Sequence, residues 1–102
     1  MWYVKIDKTL SCQIDLTKDA KKDLGKVPFY IKEKLLLWVD AIERMGIHQI
    51  RKIPGYHDEP LKGDRQGQRS IRLNKAYRAI YVENEQKEIM IISIIEVNKH
   101  EY

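Results

Sequence analysis

Residues 88–97 read EIMIISIIEV, and a run so rich in β-branched side chains has few stable settings other than an extended strand within a sheet. Its near continuity predicts a central strand covered on both faces. A second pattern constrains the chain from the other side. Ile31, Leu35, Trp38, Val39, Ile42 and Met45 recur at helical spacing, with Pro28 placed as the first helical residue and Gly46 placed to close the segment. A covered strand and a long amphipathic helix within 102 residues leave room for one core, so the reading is a single domain over residues 1–102.

The other elements follow from local signals. Val4 and Ile6 alternate with polar neighbours, which predicts a strand over Tyr3 to Asp7. Thr17 is placed to cap a short helix that Gly25 ends. Residues 48–67 hold prolines and glycines without a period and read as a long irregular connection, pinned by Ile47, Ile50 and Ile53. Gln68 to Leu73 is expected to put Ile71 and Leu73 on one face and Ser70 and Arg72 on the other. Ala76 to Glu83 is the next strand, with hairpin connections at Asn74-Lys75 and at Glu83 to Lys87. The expected architecture is α+β: an N-terminal strand and two helices packed on an antiparallel sheet of about four strands.

Charge is unevenly spread. Residues 48–78 carry eight Lys/Arg against three Asp/Glu, whereas residues 79–102 carry two against five. Five of those eight cations are arginine, whose planar fork suits phosphate, so the middle of the chain reads as the footprint of a polyanion. A solvated basic face is the plainer reading of charge alone. Cys12 is the sole cysteine, which excludes an intrachain disulfide and suits a reducing cytoplasm. Lys5, Asp7 and Lys8 interrupt the start where a signal peptide needs an apolar stretch, and no run approaches a membrane span. The expected location is therefore cytoplasmic, with no membrane partner. His48, His57 and Cys12 lack metal-ligand spacing, and residues 63–67 are not a nucleotide-binding glycine loop, so no metal and no cofactor is expected.

Glu59-Pro60-Leu61-Lys62, Gly67-Gln68-Arg69-Ser70, Arg72, Tyr77-Arg78-Ala79-Ile80-Tyr81 and His100-Glu101-Tyr102 follow one another in an order that resembles the RelE/ParE superfamily, in its YoeB/HigB-like branch. The resemblance implies a RelE-like fold and a type II toxin–antitoxin toxin: a metal-independent endoribonuclease that cuts mRNA at the ribosomal A site on the 30S subunit and inhibits translation. It implies a cognate antitoxin as partner, in a toxin–antitoxin hetero-oligomer. By position it assigns Glu59 as general base and Arg78 as the contact to the scissile phosphate. His100 and Tyr102 fall where the tail supplies an acid and a base-stacking or positioning group. Arg51, Lys52, Lys62, Arg65, Arg69 and Arg72 are the cations expected to bind RNA. The tail is longer than in that branch, and Arg69 stands where the branch has an aromatic residue.

These residue types suit the reaction. RNA carries its own nucleophile, the 2′-hydroxyl, so cleavage needs a base for that proton, a cation for the charge on phosphorus and an acid for the departing 5′-oxygen. Each assignment has a structural counterpart. Glu59 is also readable as a solvated loop charge, and Arg78 as the partner of Glu96. His100 and Tyr102 are also readable as a frayed end, and Tyr77 and Tyr81 as packing residues. Two other functions stay open: a ParE-like DNA gyrase inhibitor that cuts nothing, and a non-catalytic RNA-binding module.

Overall fold

The computed structural model describes residues 11–86 and 89–99. The chain runs β1 (Ser11–Leu16), α1 (Lys18–Leu24), α2 (Phe29–Met45), α3 (Ile47–Arg51), β2 (Glu59–Pro60), β3 (Arg69–Arg72), β4 (Tyr77–Gln86) and β5 (Ile89–Lys99). Two 3₁₀ turns, Pro54–Tyr56 and Gly63–Arg65, flank β2. The strands form one sheet in the order β1-β5-β4-β3-β2. β5 pairs antiparallel with β4 and parallel with β1. The architecture is thus α+β as expected, with a five-stranded mixed sheet in place of a wholly antiparallel one.

The first described strand is β1, where Cys12, Ile14 and Leu16 lean on the core. The strand expected over Tyr3 to Asp7 lies outside the described residues. Thr17 caps α1, its hydroxyl accepting from Ala20 N–H at 3.2 Å. Helix α2 begins one residue later than expected, because Pro28 is extended and serves as the cap. Ile31, Leu35, Trp38 and Ile42 of α2 are buried against the sheet, whereas Met45 is exposed. Gly46 ends the helix at φ 85°, a conformation open mainly to glycine. The start of the segment expected to be irregular is helical: α3 buries Ile47 and Ile50, and Ile53 beyond it is exposed.

One face of the sheet meets the helices through Ile71, Ala79, Tyr81, Met90, Ile92, Ile94 and Val97. β5 therefore alternates, with its intervening residues only half-buried, and is not covered equally on both faces. Ile94 and Val97 are three residues apart yet both reach the core, because the register slips between Ile80 and Tyr81. Ile80 pairs with Glu96 and Tyr81 with Ile94, which leaves Ile95 as a bulge. The slip keeps Glu96 and Asn98 on the face away from the helices, opposite Ile80 and Arg78. Beyond the end of β1, α1 takes over the edge of β5: the Asp23 carboxylate accepts from Val97 N–H at 3.0 Å. Among the described residues no helix is long and apolar enough to cross a membrane.

Candidate active site

On the face away from the helices, the β3–β4 hairpin sets Arg72 directly opposite Arg78. The hairpin is tight. Leu73 N–H donates to the Tyr77 carbonyl at 2.9 Å, and the Asn74 side chain accepts from Ala76 and Tyr77 N–H at 2.7 and 2.8 Å. Like charges in register repel and cost stability unless an anion lies between them. None of the described residues supplies one. Arg72 is exposed and makes no ion pair among them, and Arg78 reaches only the neutral amide of Asn98, Nε to Oδ1 at 3.4 Å. Glu96, the carboxylate that sequence reasoning offered to Arg78, is taken by Arg65 at 2.5 Å and by the Asn98 amide. Among the described residues, Arg78 is thus left without a carboxylate partner.

The two arginines form one wall of an open cleft of about 480 Å³. Ser70, Asn74, Lys75 and Tyr77 also line it, and Glu59, with His57 beside it, lines it from β2, across β3 from Arg78. Glu59 comes into place because β2, though only two residues long, pairs Glu59 with Ser70 and Pro60 with Arg69. The Glu59 carboxylate lies 3.5 Å from His57 Nε2, both side chains a little over half exposed. His57 itself adopts a left-handed backbone, φ 47°, ψ 50°.

Asp58, between those two, turns the other way. Only 1% of its side chain is exposed, and it accepts from Arg69 Nε at 2.6 Å and from the Tyr81 hydroxyl at 2.5 Å. Arg51 joins from α3, donating to the Tyr81 oxygen at 3.1 Å and to Glu83 at 2.8 Å. Burial raises the Tyr81 pKa most, and the Asp58 bond adds to it against the lowering effect of Arg51. Burial by itself would lower the Arg51 pKa, but its bonds to Glu83 and Tyr81 outweigh that and raise it. Tyr81 packs on Trp38 with ring centroids 5.2 Å apart, so it is a core residue.

The expected RNA-binding cations therefore separate. Arg72 lines the cleft. Arg51 and Arg69 sit on the helix side of the sheet with their forks committed to Asp58 and Glu83, because alternation along β3 sends Arg69 away from Arg72. Arg65 is held by Glu96 and Gln68. Lys52 and Lys62 are exposed and do not line the cleft. Glu59 and Arg78 do line it. His100 and Tyr102 lie outside the described residues; Lys99, which precedes them, pairs with the cleft residue Tyr77. His57, Lys75 and Asn74 were not singled out for this cleft from sequence. No local pattern signalled His57, because its left-handed backbone takes it out of any extended alternation.

The helix-backed mixed sheet with its basic hairpin defines the fold of the RelE/ParE toxins. Solved structures with this fold include a YoeB/ParE toxin from Agrobacterium tumefaciens, 20% identical, covering 87% of this chain and 99% of its own, with a TM-score of 0.65. The DinJ–YafQ toxin–antitoxin complex of E. coli matches with 17% identity, 88% and 93% coverage and a TM-score of 0.65. A YoeB dimer from Staphylococcus aureus matches with 20% identity, 90% and 99% coverage and a TM-score of 0.59. No protein-family model and no curated protein matches the chain.

Proposed function

We propose that this chain is the toxin of a type II toxin–antitoxin system and acts as an mRNA endoribonuclease at the ribosomal A site. One observation carries the reading: Arg72 and Arg78 face each other with no carboxylate of the described residues between them, over a cleft that Glu59 also lines. A phosphodiester satisfies both arginines at once, and two charge-assisted forks stabilise the extra negative charge that phosphorus carries in the transition state. The 2′-hydroxyl beside that phosphate attacks it in line, giving a 2′,3′-cyclic phosphate and a free 5′-hydroxyl. The base side of the reaction belongs to the wall that carries Glu59. His100 is the candidate acid for the 5′-oxygen, and Tyr102 the residue that positions the base.

An antitoxin is the proposed protein partner, as in the DinJ–YafQ complex. Inducible expression followed by primer extension on cellular mRNA tests the whole reading. Discrete breaks at A-site codons that vanish with Arg78→Ala support it. Growth arrest without breaks, with purified protein inhibiting gyrase supercoiling, replaces it with the ParE-like reading. RNA binding with neither effect reduces the chain to a binding module.

A further inference from the structure

The β2 side of the cleft holds two proton-handling groups, and their geometry gives them unequal parts. Glu59 lies half in water with its carboxylate 3.5 Å from the imidazole, so it is placed to hold and orient that ring. His57 is the side-chain type that accepts and releases protons near neutral pH. A carboxylate 3.5 Å from Nε2 favours the tautomer with its proton on Nε2, which leaves Nδ1 with a free lone pair.

We infer that His57 is the catalytic base and that Glu59 is the positioning residue behind it, an assignment that rests on the nuclease reading above. Nδ1 takes the proton of the 2′-hydroxyl as the 2′-oxygen bonds to phosphorus. The bond from phosphorus to the 5′-oxygen breaks, and that oxygen takes a proton from the acid group. Glu59 stabilises the imidazolium, and proton exchange with water resets both sides. No oxidant, reductant or bound ion is required.

The backbone supports this division of labour. His57 is the only described non-glycine residue with positive φ, and a side chain there turns out of line with its neighbours. Asp58 is drawn to the helix side by Arg69 and Tyr81, so the residues on either side of it are both presented to the cleft. The charged groups that share the cleft with His57 are Glu59 from β2, Arg72 from β3, Lys75 from the hairpin and Arg78 from β4. Three of these four are cations, and Glu59, 3.5 Å from Nε2, is placed to balance the imidazolium that forms when the ring takes a proton.

The test uses the full chain and mRNA on programmed ribosomes. His57→Gly suits the left-handed backbone and opens a space that free imidazole fills. Its cleavage rate is expected to fall about 10²–10⁴-fold. Added imidazole should restore a measurable part of it. The rise of the wild-type rate with pH, which follows an imidazole, should disappear. Glu59→Gln should cut at a reduced rate and retain an imidazole-type pH profile, as expected when the base itself is still in place. Cleavage by His57→Gly at the wild-type rate and with the wild-type pH profile overturns the assignment. So does a loss that free imidazole does not rescue in a variant that still binds the ribosome. Wild-type protein that makes no cut at all defeats the nuclease reading itself, a distinct result.

Discussion

Asp58 Oδ1 lies 2.6 Å from Arg69 Nε, with the carboxylate side chain 1% exposed and the guanidinium side chain 21% exposed, so the loop bearing His57 and Glu59 is clamped to β3 from the helix side of the sheet. The clamp and the cleft are on opposite faces, and what joins them is the one stretch of loop that carries His57, Asp58 and Glu59. Whatever displaces Asp58 therefore displaces both of its cleft-lining neighbours.

Asp58→Ala should accordingly be one of the most damaging substitutions in the chain. It leaves Arg69 and the Tyr81 hydroxyl without their acceptor. Removing one partner of a buried pair costs about 3–5 kcal/mol, and the partial exposure of Arg69 puts the expectation at the lower end. Urea unfolding would measure it as a lower midpoint at unchanged slope. Below the unfolding midpoint, catalysis should fall with binding retained, because Arg72 and Arg78 do not depend on Asp58.

Tyr81→Phe probes the same network from the core. The ring contact with Trp38 survives, but Asp58 loses a donor, and the expected cost is about 1–3 kcal/mol. The pH dependence has a definite sign. Burial and the Asp58 bond raise the pKa of the folded phenol above the unfolded value of roughly 10. The stability that the hydroxyl contributes is therefore complete below pH ~10 and is lost as pH rises from there towards the folded value. The gap in melting temperature between wild type and Tyr81→Phe should be constant from pH ~7 to ~9 and narrow above pH ~10. A gap that widens at alkaline pH would contradict the assigned bonding.

What was legible in the sequence follows from what was periodic. The buried positions of α2 apart from Met45, the two faces of β3 and the antiparallel pairing of β4 with β5 rest on repeats of 3.6 or 2 residues and stand where expected. β4, however, runs on to Gln86 through the connection expected from Glu83. β1 was missed although Cys12, Ile14 and Leu16 alternate, because polar Ser11, Gln13 and Asp15 between them make the segment read as a connection. Its parallel pairing with β5 depends on contacts across nearly the whole chain, which no local pattern encodes. The cleft was half legible. Arg72 and Arg78 were placed together by hairpin register, whereas the commitment of Arg51 and Arg69 to Asp58 is a tertiary fact. Charge counting adds cations that point to opposite faces of a sheet.

Asp23→Ala examines the junction of α1 with β5. Its carboxylate stands in for a neighbouring strand at Val97 N–H, just beyond the bulge at Ile95. Loss of that acceptor should cost about 1–3 kcal/mol and speed hydrogen exchange at the Val97 amide. Asp23→Asn keeps an acceptor oxygen and should recover most of the loss. Equal exchange in the wild type and the alanine variant would show that the bond contributes nothing.

Arg72→Ala separates stability from function most cleanly, because its two effects have opposite signs. Arg72 is exposed and faces Arg78 in register, so its removal relieves a like-charge pair and should raise stability by about 0.2–1 kcal/mol. The same change removes one phosphate contact from the cleft. RNA affinity should drop, and the slope of log affinity against log salt should become shallower by about 0.7, the share of one neutralised phosphate on a single strand. Lys52→Ala, on an exposed cation outside the cleft, provides the comparison and should move neither stability nor cleavage appreciably. A destabilised Arg72→Ala with an unaltered salt slope would mean that Arg72 serves the fold, and the anion expected between the two arginines would have to be sought elsewhere.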